Sequence, residues 1–256
     1  MVHFVGAGPG APDLITLRGK KLLEGADVVI YAGSLVNPAL LDDLKEECAV
    51  YNSASMTLEQ VVDAMETAEK EGKDTVRLHT GDPSVYGAIR EQMDLLDAKR
   101  IPYENVPGVS SFCGAAAALH AEYTLPGVSQ TVILTRLEGR TPVPEKEKMA
   151  SLASHGASMA VFLSAGMTET LSQELIEGGY PPETPAAIVY KASWPDEKVV
   201  RTTVEGLPEA AKKAGIQKTA LILLGGFLGD RYDRSKLYDP QFSHEFREGV
   251  PAKEEK

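Results

Sequence analysis

Short apolar runs alternate with amphipathic stretches along the first half of the chain, the pattern of an α/β layer structure with a largely parallel sheet. The runs at residues 3–6, 27–31, 49–51, 75–79 and 103–106 predict strands. The clearest helix lies between the third and fourth, in TLEQVVDAMETAEKEG. Thr57 and Gln60 have capping-box spacing, Leu58, Val61, Val62, Met65 and Ala68 form one apolar stripe, and Gly72 stands at the C-terminal stop. This helix reads as cover for the sheet.

The pattern changes at AEYTLPGV, residues 121–128, after an alanine-rich helix at 115–119. A second series of strands follows at 131–135, 159–164, 186–190, 199–204 and 219–224. WPDEK, residues 194–198, reads as a turn between back-to-back strands, which predicts a mixed sheet with an antiparallel pair. The expected organisation is an N-terminal α/β lobe at 1–122, a C-terminal α/β lobe at 123–231, and a polar, loosely ordered tail at 232–256. No internal repeat is visible.

Composition narrows the function classes. A chain of 256 residues has core enough to fold without disulfides or metal. Cys48 and Cys113 form neither a disulfide framework nor a metal-ligand spacing, and the five histidines are scattered, so no metal is expected and a reducing cytoplasm is the expected location. MVHFVGAG has no signal-peptide pattern, and no run reaches the roughly 18 apolar residues of a membrane span. The net charge of −11 argues against a phosphate-tracking nucleic-acid binder. It also means that a polyanionic substrate needs local cations in its pocket.

Three glycine-containing turns carry the candidate chemistry. In VGAGPGAPDLIT, residues 5–16, the spacing Gly6, Gly8, Ala11 fits a relaxed dinucleotide fingerprint. Pro9 and Pro12 oppose that reading, because neither has an amide hydrogen to offer a phosphate. The strand at 27–31 also runs on into AGS, where a ribose-binding acid would be expected. An NAD-dependent oxidoreductase is thus a distant alternative. In HTGDPSVYGA, residues 79–88, Asp82 would repel phosphate; it suits a ligand with amines, hydroxyls or a positive centre, and it also suits a helix N-cap before Pro83. His79 is the histidine placed beside this turn. In VPGVSSFCG, residues 106–114, Ser110 and Ser111 fit a ligand contact or a helix cap equally well. Turns of this kind at one sheet edge make a cleft for a neutral or cationic nucleoside. No G-x-S-x-G elbow is present.

At these turns, and at the late strand KTALILLGG, the sequence resembles the tetrapyrrole methylases, S-adenosylmethionine-dependent enzymes acting on uroporphyrinogen and corrin precursors. The resemblance runs from about residue 2 to residue 229. YAGSLV, TRLEGRTPVPE and YKASWPDEKVVRTT resemble the branch that methylates carbon 11 of a precorrin-4 macrocycle, cobalt-bound or metal-free, with a paralogous precorrin or uroporphyrinogen methylase acting at another ring carbon as the alternative. The resemblance implies two α/β lobes flanking a substrate trough, a homodimer, and S-adenosylmethionine as cofactor, leaving as S-adenosylhomocysteine. Carried onto matching positions, it implies cofactor contacts at Pro9, Thr80, Gly81, Asp82, Val85, Ser110, Ser111, Leu163, Ala192, Thr219 and Ala220. An aspartate typical of the uroporphyrinogen branch is replaced here by the Ala32–Gly33 region, so no catalytic residue is carried over.

The macrocycle's carboxylates call for cations, and the candidates are Arg136, Arg140, Lys191 and Arg90. Tyr86 and Trp194 are candidates to flank the flat ring, with ordinary packing as the other reading.

Overall fold

A computed structural model describes residues 1–250, the side chain of Ser34 apart. The PAKEEK end of the tail lies outside the described residues. The chain divides into two compact units, one formed by Met1–Ala118 with Lys191–Lys198, the other by Leu119–Tyr190 with Val199–Lys256.

The first unit holds β1 (Val2–Gly6), α1 (Leu17–Gly25), β2 (Val28–Tyr31), β3 (Ala49–Asn52), α2 (Leu58–Lys70), β4 (Thr75–His79), α3 (Arg90–Lys99), β5 (Tyr103–Val106) and most of α4 (Ser111–Leu119). Its five strands run parallel in the order β3-β2-β4-β1-β5. All residues of β1 and β4 are buried, as central strands of a sheet covered on both faces must be. Val2, Phe4 and Ile30 pack with Val62, Met65 and Leu96 on one face, and Val5, Val29 and Leu78 pack with Leu23 and Leu40 on the other. The capping box at Thr57 and Gln60 is formed, and α2 lays Val61, Val62, Met65 and Ala68 into the first of these clusters.

Because β1 lies between β4 and β5, the turns that follow all three strands emerge side by side at the carboxyl edge of the sheet. That placement follows from strand order alone.

The second unit contains β6 (Val132–Arg136), α5 (Met149–Ala153), β7 (Ser158–Phe162), α6 (Thr168–Glu177), β8 (Pro185–Tyr190), β9 (Lys198–Thr203), α7 (Leu207–Ala214) and β10 (Ala220–Leu224). The sheet order is β6-β7-β10-β8-β9, with β6 and β7 parallel and β10 antiparallel to both its neighbours. It is the mixed sheet expected from the turn at WPDEK. Met159, Val161, Ile188 and Ile222 pack against Leu171, Leu175, Leu207 and Ala211 of α6 and α7. In the tail, the Asp233 amide donates to the Pro126 carbonyl at 2.9 Å. The Arg247 guanidinium gathers the Leu237, Asp239 and Phe242 carbonyls.

Candidate functional site

The three turns of the first unit pack backbone against backbone. Gly8 and Gly81 form an antiparallel bridge, with the Gly81 amide donating to the Gly8 carbonyl at 2.9 Å and the Gly8 amide returning a bond to the Gly81 carbonyl at 3.3 Å. A Cβ on Gly6 would lie 2.5 Å from the Gly108 Cα, and one on Gly108 would lie 2.1 Å from the Gly81 carbonyl oxygen. These glycines are therefore required by the mutual approach of the turns. Their presence needs no phosphate.

The amides of the first turn confirm that physical point. Ala7 donates to the His79 carbonyl at 2.7 Å, Gly8 to Gly81, and Ala11 to the Ser193 hydroxyl at 3.0 Å. Pro9 and Pro12 have no amide hydrogen. Among the peptide groups that a diphosphate would grip, most donors are absent or already engaged.

Asp82 ties the second turn to the third. Its Oδ2 accepts the Gly108 amide at 2.8 Å, while Oδ1 accepts the Ser84 amide at 2.8 Å and the Ser84 hydroxyl. Burial pushes the carboxyl pKa up, but the Ser84 and Gly108 bonds outweigh it and hold the pKa below the ordinary value. The group is ionised at neutral pH and keeps lone pairs for a ligand. Of the two readings of Asp82, the helix N-cap before Pro83 is not formed. Pro83–Tyr86 is a turn and α3 begins only at Arg90, so the side chain closes a local turn in place of an N-cap.

Beside Asp82, the Thr80 hydroxyl is buried without a hydrogen-bond partner. It is an unmet polar group of the kind that a bound ligand satisfies. A Cβ on Gly81 would rest 3.5 Å from the Ser110 Cα and the Ser111 amide nitrogen, so those three residues are neighbours. Gly114 of α4 packs against Pro9 and Ala192. Val85 closes the turn by donating its amide to the Asp82 carbonyl at 3.2 Å. Eight of the residues expected to touch the cofactor thus lie on adjoining segments of one unit.

The other three lie at one end of the second sheet. The register Ile222↔Val161, extended two residues, sets Ala220 level with Leu163, and Ala220 pairs directly with Tyr190. Leu163 is 68% exposed and has φ 55°, while Thr219 has φ 57°.

Backbone strain collects at the same places. Eight non-glycine residues among those described have positive φ, and six of them are Tyr86, Ala88, Leu163, Lys191, Ser193 and Thr219. Left-handed backbone disfavours a β-branched residue most, so Thr219 is the sharpest outlier. Strain persists only where the surroundings enforce it, and it clusters at functional sites.

The family model for tetrapyrrole (corrin/porphyrin) methylases matches residues 1–208. The chain belongs to the tetrapyrrole methylases. A cobalt-precorrin-4 C(11)-methyltransferase of Methanocaldococcus jannaschii is 58% identical to this tetrapyrrole methylase over 96% of its chain and 95% of the relative's. Among solved structures, a cobalt precorrin-4 methyltransferase of cobalamin biosynthesis superposes with a TM-score of 0.88 at 52% identity, covering 90% of this chain and 96% of the other. A uroporphyrin-III C-methyltransferase from Thermus thermophilus, complexed with S-adenosylhomocysteine, superposes with a TM-score of 0.73 at 28% identity over 89% and 92% of the two chains.

The cationic candidates of this methylase differ in their surroundings. Arg136 donates to the carbonyls of Leu137, Thr141 and Pro142, bracing the loop that follows β6. Arg140, carried on that loop, is exposed. Arg90 pairs with Asp94 at 2.7 Å along the exposed face of α3. Lys191 pairs with Asp196 at 2.7 Å and lies 5.2 Å from the Trp194 ring centroid. Tyr86 is about half exposed, at 48%.

Two residues that touch the first turn were invisible in the sequence. Asn37 Nδ2 donates to the Gly10 carbonyl at 2.9 Å, and Ser193 accepts from Ala11. Both are polar side chains meeting a distant backbone, for which no local pattern exists. Among the described residues no group of His, Cys, Asp and Glu is placed to hold a metal ion, and no helix is long and apolar enough to cross a membrane.

Proposed function

We propose that this chain transfers a methyl group from S-adenosylmethionine to carbon 11 of cobalt-precorrin-4. The observation that carries the reading is the first turn, whose amides at Ala7, Gly8 and Ala11 are already engaged beside two prolines. That cradle suits a ligand held by apolar contact and carbonyls, beside an ionised Asp82, and it suits a diphosphate poorly. The cobalt-bound substrate is supported by the likeness to cobalt-precorrin-4 methyltransferases at 58% and 52% identity.

The cofactor contacts we assign in the first unit are Pro9, Thr80, Gly81, Asp82, Val85, Ser110, Ser111 and Ala192. Those in the second are Leu163, Thr219 and Ala220. The cofactor supplies a methyl group already activated on a sulfonium. The chain's own task is then alignment, and holding reacting atoms at about 3–3.5 Å contributes on the order of 7–11 kcal/mol. Thr80 offers its unmet hydroxyl, Asp82 its carboxylate, and the strained residues their fixed carbonyls. Arg140 is the cation we assign to a macrocycle carboxylate, against the acidic balance of the chain. We infer a cytoplasmic homodimer from the same family likeness.

The test is incubation with methyl-labelled S-adenosylmethionine and cobalt-precorrin-4, followed by location of the label on the ring. Label at carbon 11 supports the reading, and label at another carbon replaces it with that of a sister methylase. Calorimetric titration with S-adenosylhomocysteine and with NAD checks the cofactor separately; binding of NAD alone would overturn the proposal.

A further inference from the structure

The hairpin turn between β8 and β9 belongs to the first unit and not to the sheet that its flanking strands join. Its side chains converge on three consecutive residues. Trp194 Nε1 donates to the Pro9 carbonyl at 3.1 Å, Ser193 accepts the Ala11 amide at 3.0 Å, and a Cβ on Gly10 would lie 2.1 Å from the Trp194 ring. Gly10 is a glycine because the indole lies flush on its Cα. Asn37 completes the set by donating to the Gly10 carbonyl.

The turn is itself locked. Lys191 and Ser193 have φ 47° and 66°, Lys191 reaches over the Trp194 ring to pair with Asp196, and Glu197 accepts the Ser193 amide at 2.6 Å. Left-handed backbone at two non-glycine positions is disfavoured and is held here by the contacts around it.

From this geometry we propose that Trp194 is a positioning residue for the cofactor, fixing the Pro9–Gly10–Ala11 backbone through its indole N–H and ring face. The sequence alone had left it between a macrocycle contact and ordinary packing. The indole N–H already has its acceptor in Pro9, and the ring face lies on Gly10 with Lys191 nearby. Trp194 is also the sole tryptophan of the chain, so its effects can be read spectroscopically. The inference rests on the proposed cofactor site at Pro9.

The experiment uses the full chain and compares wild type, Trp194→Phe and Ser193→Ala. Calorimetry gives the affinity for S-adenosylhomocysteine and, separately, for the tetrapyrrole, and thermal melting monitors the fold. Trp194→Phe keeps an aromatic plate and loses one hydrogen bond, so S-adenosylhomocysteine is expected to bind about three- to tenfold more weakly. Tetrapyrrole affinity and melting temperature should be nearly unchanged, and the KM for S-adenosylmethionine should rise with little change in kcat. Ser193→Ala should move the same quantity in the same direction and serves as the deciding variant if Trp194→Phe melts much lower. Unchanged affinity for S-adenosylhomocysteine, or a larger loss for the tetrapyrrole, overturns the proposal. Failure of the wild type to bind S-adenosylhomocysteine would instead overturn the cofactor reading beneath it.

Discussion

Asp82 accepts the Gly108 amide at 2.8 Å, joining the turn after β4 to the turn after β5. The two turns are already in van der Waals contact through glycines, so this bond fixes an arrangement that packing alone permits. The same carboxylate holds Ser84 with its other oxygen. A residue type that would weaken a phosphate site here organises the backbone of two neighbouring turns.

Asp82→Asn tests that role. If the amide keeps its oxygen toward Ser84, its NH2 group faces the Gly108 N–H, and a charge-assisted bond becomes a donor–donor clash. A loss of about 1–3 kcal/mol of stability is expected in denaturant titration at neutral pH. The native pKa is depressed, so the stabilisation is fully present above the unfolded value near 3.8 and is lost as pH falls through the lower folded value. The gap between wild type and variant should therefore narrow on acidification below pH 3.8. A constant gap would show that the charge is not the source.

A second pH dependence resides in His79. The ring is 4% exposed, its Nε2 has no partner, and burial, with the Arg77 charge adding to it, lowers the pKa from 6.5 to about 3. The neutral ring is favoured in the fold, and the unfolded chain binds a proton first. Stability is thus greatest above pH 6.5 and declines between pH 6.5 and about 3, by on the order of a few kcal/mol. Melting curves of His79→Gln across that window should lack most of this slope. An identical slope in the variant would locate the acid sensitivity elsewhere.

Much of this architecture was legible in the sequence, and the reason is local. Period-two and buried runs placed the ten strands, and the capping box at Thr57 and Gln60 formed as its spacing required. Whether a helix starts at Pro83 was not legible. The residues there form a tight turn in which a Cβ on Gly87 would meet the Pro83 carbonyl oxygen at 2.1 Å, with Tyr86 and Ala88 at positive φ, and the helix starts at Arg90. Asp-Pro with a small residue nearby fits a helix start and a turn equally well, and only the packing of neighbouring turns decides. Ser193 meets Ala11 across 182 residues of sequence. That contact has no local signature.

Thr219 offers a test in which stability and binding move in opposite directions. A β-branched residue at φ 57° is strained, and glycine relieves it. Thr219→Gly is expected to hold or raise the melting temperature, since the relief of about 1 kcal/mol exceeds the entropy cost of a freer chain only narrowly. The affinity for S-adenosylhomocysteine should fall several-fold because the fixed backbone and the hydroxyl are both lost. A large loss of stability would mean that the conformation is not strained.

The loop after β6 allows the charge on Arg140 to be separated from the order of its support. Arg136 holds the loop through three carbonyls, while Arg140 stands exposed on it. Removing the exposed charge should leave the fold alone, so Arg140→Ala is expected to melt with the wild type and to bind S-adenosylhomocysteine equally well. Tetrapyrrole binding should weaken about fivefold at low salt, corresponding to about 1 kcal/mol for one carboxylate contact. Raising the ionic strength to about 0.15 M should shrink the difference, because exposed charges are screened over roughly 8 Å there. Arg136→Ala should instead loosen the loop itself, weakening the macrocycle at least as much and with little salt dependence. If Arg140→Ala lowered both affinities equally, the guanidinium would be acting on the fold, and the macrocycle's carboxylates would need another partner.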